Sequence, residues 1–302
     1  MITAGPANRA RLTAVQTLRA EGVASPEYDA AELLAFVLDI QRGLLPIAKD
    51  LNEDQARQYH ALVVRRARRE PLQHIIGSAG FYGLALQVGP GVFIPRPETE
   101  VLVERALSAI AAVAAPRVVD LCAGSGAVAL AIASNRPTAQ IVAVEQSSEA
   151  VTWLRRNVEQ LAPQVQVVHS NVLALRASTV NALMDSAHPG DGDSGDQPTE
   201  GGVDLVTCNP PYVPSRSAVE HEVAAHDPGA AVFAGEDGLE LIRPLVGLIA
   251  ELLRPGGTVV LEHDESHQPQ VLRLFGDSGS FTAVTGHQDL TRRPRFITAT
   301  RG

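Results

Sequence analysis

From residue 117 onward, short apolar runs alternate with segments of helical periodicity. This alternation restricts the possible folds more than any other feature of the chain. "RVVDLCAG" reads as a buried strand, "GAVALAIASNRP" as a helix, "AQIVAVEQ" as a strand and "SSEAVTWLRRNVEQLA" as a helix. "VQVVHSNVL", the apolar part of "GVDLVTCNPPY", and "TVVLEH" supply further strands, with "GLELIRPLVGLIAELLRPGG" a helix before the last of them. "QPQVLRLFGDSG" is helical, and "FTAVTGHQ" and "RFITATR" are strand-like. Strands separated by helices in this way predict an α/β fold with an open, mostly parallel, doubly wound sheet. The Gly-, Asp-, Ser- and Pro-rich stretch from about 177 to 202 breaks the alternation. It holds too little apolar surface to order itself and is expected to be a mobile insertion.

The first 76 residues differ in texture and predict a small helical bundle. "NRARLTAVQTLRAEG" places Leu12, Val15 and Leu18 at helical spacing before Gly22. "PEYDAAELLAFVLDI" opens on a proline suited to a first helical turn and carries Leu33, Leu34, Val37 and Leu38 on one stripe. Asn52 with Gln55 forms a capping-box pair ahead of a third helix striped with Tyr59, Leu62 and Val63. Arg65, Arg66, Arg68 and Arg69 close that helix. Solvated cations at a helix end are the expectation, with an acidic or RNA-bearing partner as the alternative. Residues 77–95, with "YGLALQV" between glycines, predict a β-hairpin linker, and residues 96–302 form the doubly wound domain, with a helix beginning near Thr99.

Composition narrows the function classes. The chain of 302 residues is 45% hydrophobic and 20% charged, ordinary for a globular protein. No apolar run approaches the roughly 18 residues of a membrane span, and "MITAGPANRARL" lacks the layout of a signal peptide. Two cysteines, Cys122 and Cys208, cannot make a disulfide framework and suit a reducing cytoplasm. A formal net charge of −9 argues against duplex DNA as the main partner. A monomer is expected.

"VVDLCAGSGAVALA" is a strand, a tight glycine turn and a helix, in which Gly124 and Gly126 let backbone approach a ligand at the helix start. Gly124-x-Gly126-x-x-Ala129 matches the dinucleotide fingerprint, and Glu145 about 20 residues on can grip ribose hydroxyls. The segment therefore permits NAD and equally permits S-adenosylmethionine. Asp120, two residues before Cys122, tilts the choice toward the second, because it can orient the loop and help hold a cationic amino-acid end.

"CNPPY" follows the fourth strand of the doubly wound domain, at a carboxyl end where ligands of such sheets bind. An amide nitrogen is a poor nucleophile because its lone pair is delocalised, so it must be held and polarised. Asn209 can accept one N–H through its side-chain oxygen, and the backbone carbonyl of Pro210 can accept a second. Pro210 and Pro211 fix the direction of both acceptors, and Tyr212 can pack on the planar target. Asn209, Pro210 and Tyr212 are the candidate catalytic residues, and no metal is needed.

With these motifs the chain resembles the HemK/PrmC family of peptide-chain release factor glutamine methyltransferases. The likeness runs through "EPLQHIIGSAGFYGLALQV", "FIPRPETE", "DLCAGSGAVALAIA", "AVEQSSEAV", "CNPPYVP", "HDPGAAVFAGEDGLELIRPLV" and "VVLEH", nearly the whole chain. It implies a Rossmann-like S-adenosylmethionine-dependent methyltransferase domain, with a helical N-terminal domain that engages the partner. It also implies methyl transfer to the glutamine amide of the Gly-Gly-Gln motif in class I release factors, with S-adenosylhomocysteine as product. Carried over by position, Cys122, Ala123, Gly124, Ser125 and Gly126 form the cofactor loop, with Asp120 before it and Glu145 on the ribose. Asn171 and Val172 fall near the adenine. Asn209, Pro210, Pro211 and Tyr212 hold the glutamine, Asn209 also bordering the cofactor, and Phe93, Pro95 and Arg96 line the same pocket. Three positions depart from the usual pattern: Cys122 stands where glycine is common, and Glu145 and Asn171 where aspartate is common.

Rival readings explain less. A ribosomal-protein glutamine methyltransferase is the nearest alternative. A DNA adenine methyltransferase shares "NPPY" but needs a basic cleft and a base-flipping, target-reading segment. A dehydrogenase leaves "NPPY" unexplained, and a non-catalytic interaction protein has no need of both motifs. His263 and His267 are four apart but lack the His-Glu-x-x-His pattern, so a metal site is not expected. His221 and His226 are expected to be exposed loop histidines.

Overall fold

The computed structural model describes residues 1–186, 202–215, 217 and 221–302. The chain divides into two compact units, Met1–Ser78 with Val219–His226, and Ala79–Ala218 with Asp227–Gly302.

The first unit is built on helices α1 (Ala7–Ala20), α2 (Pro26–Leu38), α3 (Glu53–Ala67) and α4 (Leu72–Ile76). Pro26 sits in the first turn of α2, and Asn52 and Gln55 form the reciprocal capping box that starts α3. Leu18, Leu33, Leu34, Tyr59 and Val63 make the centre of its core, and the Tyr59 hydroxyl donates to the carbonyl of Ala30 at 2.8 Å. Leu12 does not join it. The buried face of α1 runs through Ala7, Ala10, Ala14, Val15 and Leu18, and Leu12 is half exposed.

The arginine cluster also departs from expectation. Arg66 is buried, with Nε on Asp29 Oδ2 at 2.6 Å and Nη2 on Glu222 Oε1 at 2.8 Å. Arg69 donates to the same Glu222 oxygen at 2.9 Å and to the carbonyl of Gly22. A guanidinium offers five donors in a fixed fork, and three chain segments supply the matching acceptors. Sequence periodicity could not reveal this, because Asp29 lies 37 residues and Glu222 156 residues away.

The chain passes into the second unit through a hairpin, β1 (Ser78–Phe81) and β2 (Leu84–Gln87), turning at Tyr82 and Gly83. A 3-10 turn over Pro97–Thr99 leads into α5 (Glu100–Ala109). Then follow β3 (Arg117–Leu121), α6 (Ala127–Asn135), β4 (Gln140–Glu145), α7 (Ser148–Leu161), β5 (Gln166–His169), α8 (Ala177–Ser186) and β6 (Val203–Cys208). After α9 (His221–His226), which belongs to the first unit, come α10 (Gly229–Val232), α11 (Ile242–Leu252), β7 (Leu253–Glu262), α12 (Gln268–Gly276), β8 (Phe281–Gln288) and β9 (Pro294–Arg301).

The seven strands β3–β9 form one sheet in the order β5-β4-β3-β6-β7-β9-β8, parallel except for the antiparallel pairings of β9. Side chains alternate between its faces. Val118 packs with α5, α6 and α7, whereas Val119 and Leu121 pack with α8, α11 and α12. This is the doubly wound arrangement expected from the alternation. The chain reverses its direction of travel across the sheet between β3 and β6, the place where such sheets leave a crevice.

The segment from 177 to 202 begins as a helix. Val180 and Met184 of α8 are 0% and 1% exposed and fill the second face of the sheet. Ala177 and Leu183 of the same helix pack against that core as well, a helical-period signal hidden by the polar stretch that follows. The remainder of the proposed insertion, 187–201, lies outside the described residues.

Removing one partner of a buried ion pair costs about 3 kcal/mol, because the other charge stays behind. Asp29→Ala is therefore expected to lower the unfolding free energy by about that amount in urea titrations. The double change Asp29→Leu with Arg66→Met is expected to cost less than the single one.

Candidate active site

Strand register draws the site together. Leu121 of β3 pairs with Val144 of β4 and with Cys208 of β6, and Cys208 pairs with Leu261 of β7. The next residues are Glu145, Cys122, Asn209 and Glu262, which therefore form one row along the carboxyl edge of four neighbouring parallel strands.

Cys122 opens the glycine loop with φ 59°, in the left-handed region. Only glycine adopts that region without cost, which explains why glycine is common here and why cysteine is a strained alternative. Gly124 and Gly126 follow at φ 57° and 88°. A Cβ on Gly126 would lie 2.6 Å from Leu154 Cδ1, whereas one on Gly124 would meet nothing within 4 Å. Gly126 is needed for packing on α7, and Gly124 leaves open space beside the loop backbone, ahead of the N-terminus of α6.

Two carboxylates hold this loop. Glu145, 8% exposed, accepts from the Gly124 N–H at 2.9 Å through Oε2 and from the N–H groups of Gln146 and Ser147 through Oε1. Asp120 is buried, and accepts from the Ala129 N–H at 3.2 Å and the Thr207 hydroxyl at 2.8 Å. Burial pushes its pKa up to about 7, partly offset by those two hydrogen bonds. Asn157, fully buried on α7, donates to the carbonyls of Ser125 and Gln87 and accepts from the Gln87 N–H, joining loop to hairpin. An asparagine on the apolar stripe of Leu154 and Val158 was the available signal for it.

One pocket is lined by Phe93, Pro95, Arg96, Thr99, Asp120, Cys122, Ala123, Gly124, Ser125 and Asn209, among others. It brings the glycine loop, the "FIPR" stretch and the asparagine of "NPPY" to a common space. The guanidinium of Arg96 lies 5.1 Å over the Phe93 ring and donates to Asp227 Oδ2 at 3.0 Å. Pro210 is buried and Pro211 and Tyr212 are half-buried; none of the three lines this pocket, and Tyr212 packs against the core on the second face of the sheet. Asn171 stands apart: exposed at the end of β5, its Oδ1 accepts from the Leu173 N–H at 2.8 Å and caps a local turn. Val172 is packed into the core. His263 is a buried histidine whose Nδ1 meets the carbonyl of Asp264 at 2.8 Å. Among the described residues no group of three or more potential ligands is placed to hold a metal ion, and no helix is long and apolar enough to cross a membrane.

Thr99 and Glu262 were not singled out from sequence. Thr99 Oγ1 donates to Glu262 Oε2 at 2.8 Å and accepts from Asn209 Nδ2 at 3.3 Å. The Tyr212 hydroxyl donates to Glu262 Oε1 at 2.9 Å. A usable signal exists: "VVLE" ends in an acid just as "VAVE" does, and a carboxylate closing an apolar strand marks the ligand edge.

A doubly wound parallel sheet with a glycine loop after its first strand and an Asn-Pro-Pro-Tyr turn after its fourth defines a methyltransferase, and residues 97–185 match the methyltransferase small domain. Residues 9–77 match the PrmC N-terminal domain. The chain is 43% identical to the release factor glutamine methyltransferase of Mycolicibacterium smegmatis and 44% identical to that of Streptomyces coelicolor, in both cases over 95% of each chain. It is 43% identical to the enzyme of the same name from Corynebacterium glutamicum over 99% of each. The chain belongs to the release factor glutamine methyltransferase family.

Left-handed backbone costs a non-glycine residue about 1–2 kcal/mol. Cys122→Val adds a β-branched side chain at that φ and is expected to lower the thermal midpoint. Cys122→Gly is expected to leave it unchanged or raise it, as scanning calorimetry of the three proteins would show.

Proposed function

We propose that this methyltransferase uses S-adenosylmethionine to methylate the side-chain amide nitrogen of the glutamine in the Gly-Gly-Gln motif of class I release factors, with S-adenosylhomocysteine as the second product. The observation that carries the reading is the single pocket shared by the glycine loop and Asn209, at the carboxyl edge where β3 and β6 end in register. The loop suits the cofactor. Open space beside Gly124 lets backbone N–H groups approach a carboxylate at a helix start, and the acids Asp120 and Glu145 suit a molecule bearing sulfonium, ammonium and ribose groups. When bound there, S-adenosylmethionine supplies an electrophilic methyl carbon.

The chain's own task is to aim the nucleophile. The Asn209 side-chain oxygen accepts one N–H of the glutamine amide, and the Pro210 carbonyl accepts the other. Both acceptors draw electron density onto the nitrogen and hold its lone pair toward the methyl group. The prolines stiffen this turn, and Val213 pins its far end through bonds from its N–H to the Val232 carbonyl and from the Ala234 N–H to its own carbonyl, both 2.9 Å. The Tyr212 ring packs on the planar amide. On accepting the methyl group that S-adenosylmethionine would supply, the amide nitrogen would lose its proton to water, so this chain needs no dedicated base. Phe93 and Arg96 border the entrance, and Asn171 and Val172 serve the adenine end. The helical domain engages the release factor, and the enzyme works as a monomer in a reducing cytoplasm, consistent with two free cysteines.

Asn209→Ala is expected to abolish methyl transfer while leaving S-adenosylmethionine affinity within about threefold of wild type by titration calorimetry. Wild-type turnover by that variant would refute the site. A purified release factor should accept one labelled methyl group, and the same factor with its Gly-Gly-Gln glutamine changed should accept none. Absence of label on the intact factor would favour a ribosomal-protein glutamine instead.

A further inference from the structure

Glu262 is a carboxylate with 2% of its surface exposed, at the end of a strand whose preceding residues are apolar. Burial of this kind is costly unless each oxygen is satisfied. Its two oxygens receive one hydroxyl each, from Thr99 at 2.8 Å and from Tyr212 at 2.9 Å. Neither hydroxyl belongs to an incidental residue. Tyr212 closes the Asn-Pro-Pro-Tyr turn, and Thr99 lies against its first member at 3.3 Å.

Hydrogen counting decides what this arrangement does. The Thr99 hydroxyl has one proton, and an ionised Glu262 takes it. Toward Asn209 the oxygen of Thr99 can then only accept. The atom of Asn209 that faces it must be the donor Nδ2, which leaves Oδ1 on the other side of the side-chain amide. Oδ1 is the atom that the proposed reaction needs as an acceptor. A protonated Glu262 would carry a hydrogen of its own, and one of its two hydroxyl partners would lose its acceptor. Thr99 could then turn its proton toward Asn209, and the amide would be drawn into the opposite orientation.

We propose that Glu262 is a positioning residue for the transfer reaction: through Thr99 it sets which end of the Asn209 amide meets the substrate, and through Tyr212 it anchors the far end of the same turn. The inference rests on Asn209 as the acceptor for the substrate amide. The surrounding charges bear on when Glu262 is ionised. Burial pushes its pKa up to about 7, against the two hydroxyl bonds and the positive charge of Arg295 on β9, while Glu98 in the turn before α5 raises it further. Cys208 on β6 lies within the fields of Glu262, Asp120 and Cys122, and Asp264 after β7 acts on Tyr212. Tyr212 is held well above the usual phenol range by burial and by Glu262, so it remains a donor throughout. A raised carboxylate becomes ionised only as pH climbs through its folded value, so the competent orientation is gained with rising pH.

The test compares the full-length wild type with Glu262→Gln, Thr99→Val and Thr99→Ser. It measures S-adenosylmethionine affinity by calorimetry, kcat and KM for a purified release factor, and kcat from about pH 5.5 to about pH 9. Glutamine offers one acceptor and one donor where two hydroxyls need acceptors, and valine removes the relay while keeping its shape. Both are expected to lower kcat roughly ten- to hundred-fold with KM and cofactor affinity changed less than about threefold, and Thr99→Ser is expected to restore most of the Thr99→Val loss. Wild-type kcat should rise with pH through an apparent pKa near 7, and Glu262→Gln should lack that rise. Rates are taken per folded molecule, from circular dichroism of each preparation. Should Glu262→Gln not fold, the Thr99 pair carries the comparison. Wild-type kcat in folded Thr99→Val, or an unchanged acid limb in Glu262→Gln, overturns the proposal. If Asn209→Ala is inactive while these variants turn over normally, only the role of Glu262 fails; if Asn209→Ala is active, the acceptor reading fails with it.

Discussion

Parallel pairing in register across β4, β3, β6 and β7 sets the distances at the site. Each strand runs out of apolar residues at the same level, with Leu121 beside both Val144 and Cys208, and Cys208 beside Leu261. Strands in a parallel sheet lie about 4.8 Å apart. Glu145, Cys122, Asn209 and Glu262 therefore stand in a row at that spacing, although they span more than a hundred positions of sequence. A slip of one residue in any pairing would turn the end residue to the other face of the sheet and dismantle the row. The apolar faces covered by α5–α7 and by α8, α11 and α12 hold the register, because a slip would also expose buried side chains.

A row of this kind concentrates polar groups at the rim of an apolar core, where each must find partners. Asp120, Glu145 and Glu262 are nearly or fully buried, and each accepts at least two hydrogen bonds from backbone or hydroxyl donors. None of these donors is a cation. Hydroxyls and backbone N–H groups satisfy a carboxylate without bringing a positive charge into contact with it. The raised pKa values of Asp120 and Glu262 follow from the same choice, since burial without a contacting cation favours the neutral acid. The helical unit makes the opposite choice. There Arg66 is buried against two carboxylates, in a network whose evident task is to hold chain segments together.

The methyltransferase identity was legible because its signals are local. The glycine loop, Glu145 at the end of "IVAVE" and the Asn-Pro-Pro-Tyr turn each occupy a short stretch, and strand–helix alternation places all three at one edge. The capping box of α3 and the proline at the start of α2 were legible for the same reason. What escaped the sequence was pairwise and distant. Thr99 meets Glu262 across 163 positions, Arg66 meets Glu222 across 156, and Asn157 reaches the hairpin across 70. Helix α8 escaped because its anchoring residues sit just ahead of a polar stretch that dominates the local composition.

The sequence by itself determined which elements form, which of their ends are polar and which chemical groups those ends carry, since periodicity, turn residues and side-chain chemistry are properties of neighbours along the chain. Tertiary structure alone decided which of those groups are partners. Whether a buried threonine hydroxyl gives its proton to a glutamate or to an asparagine depends on which atoms lie within about 3 Å of it. That distance is set by strand register and helix packing, where residues far apart in sequence share the same small volume.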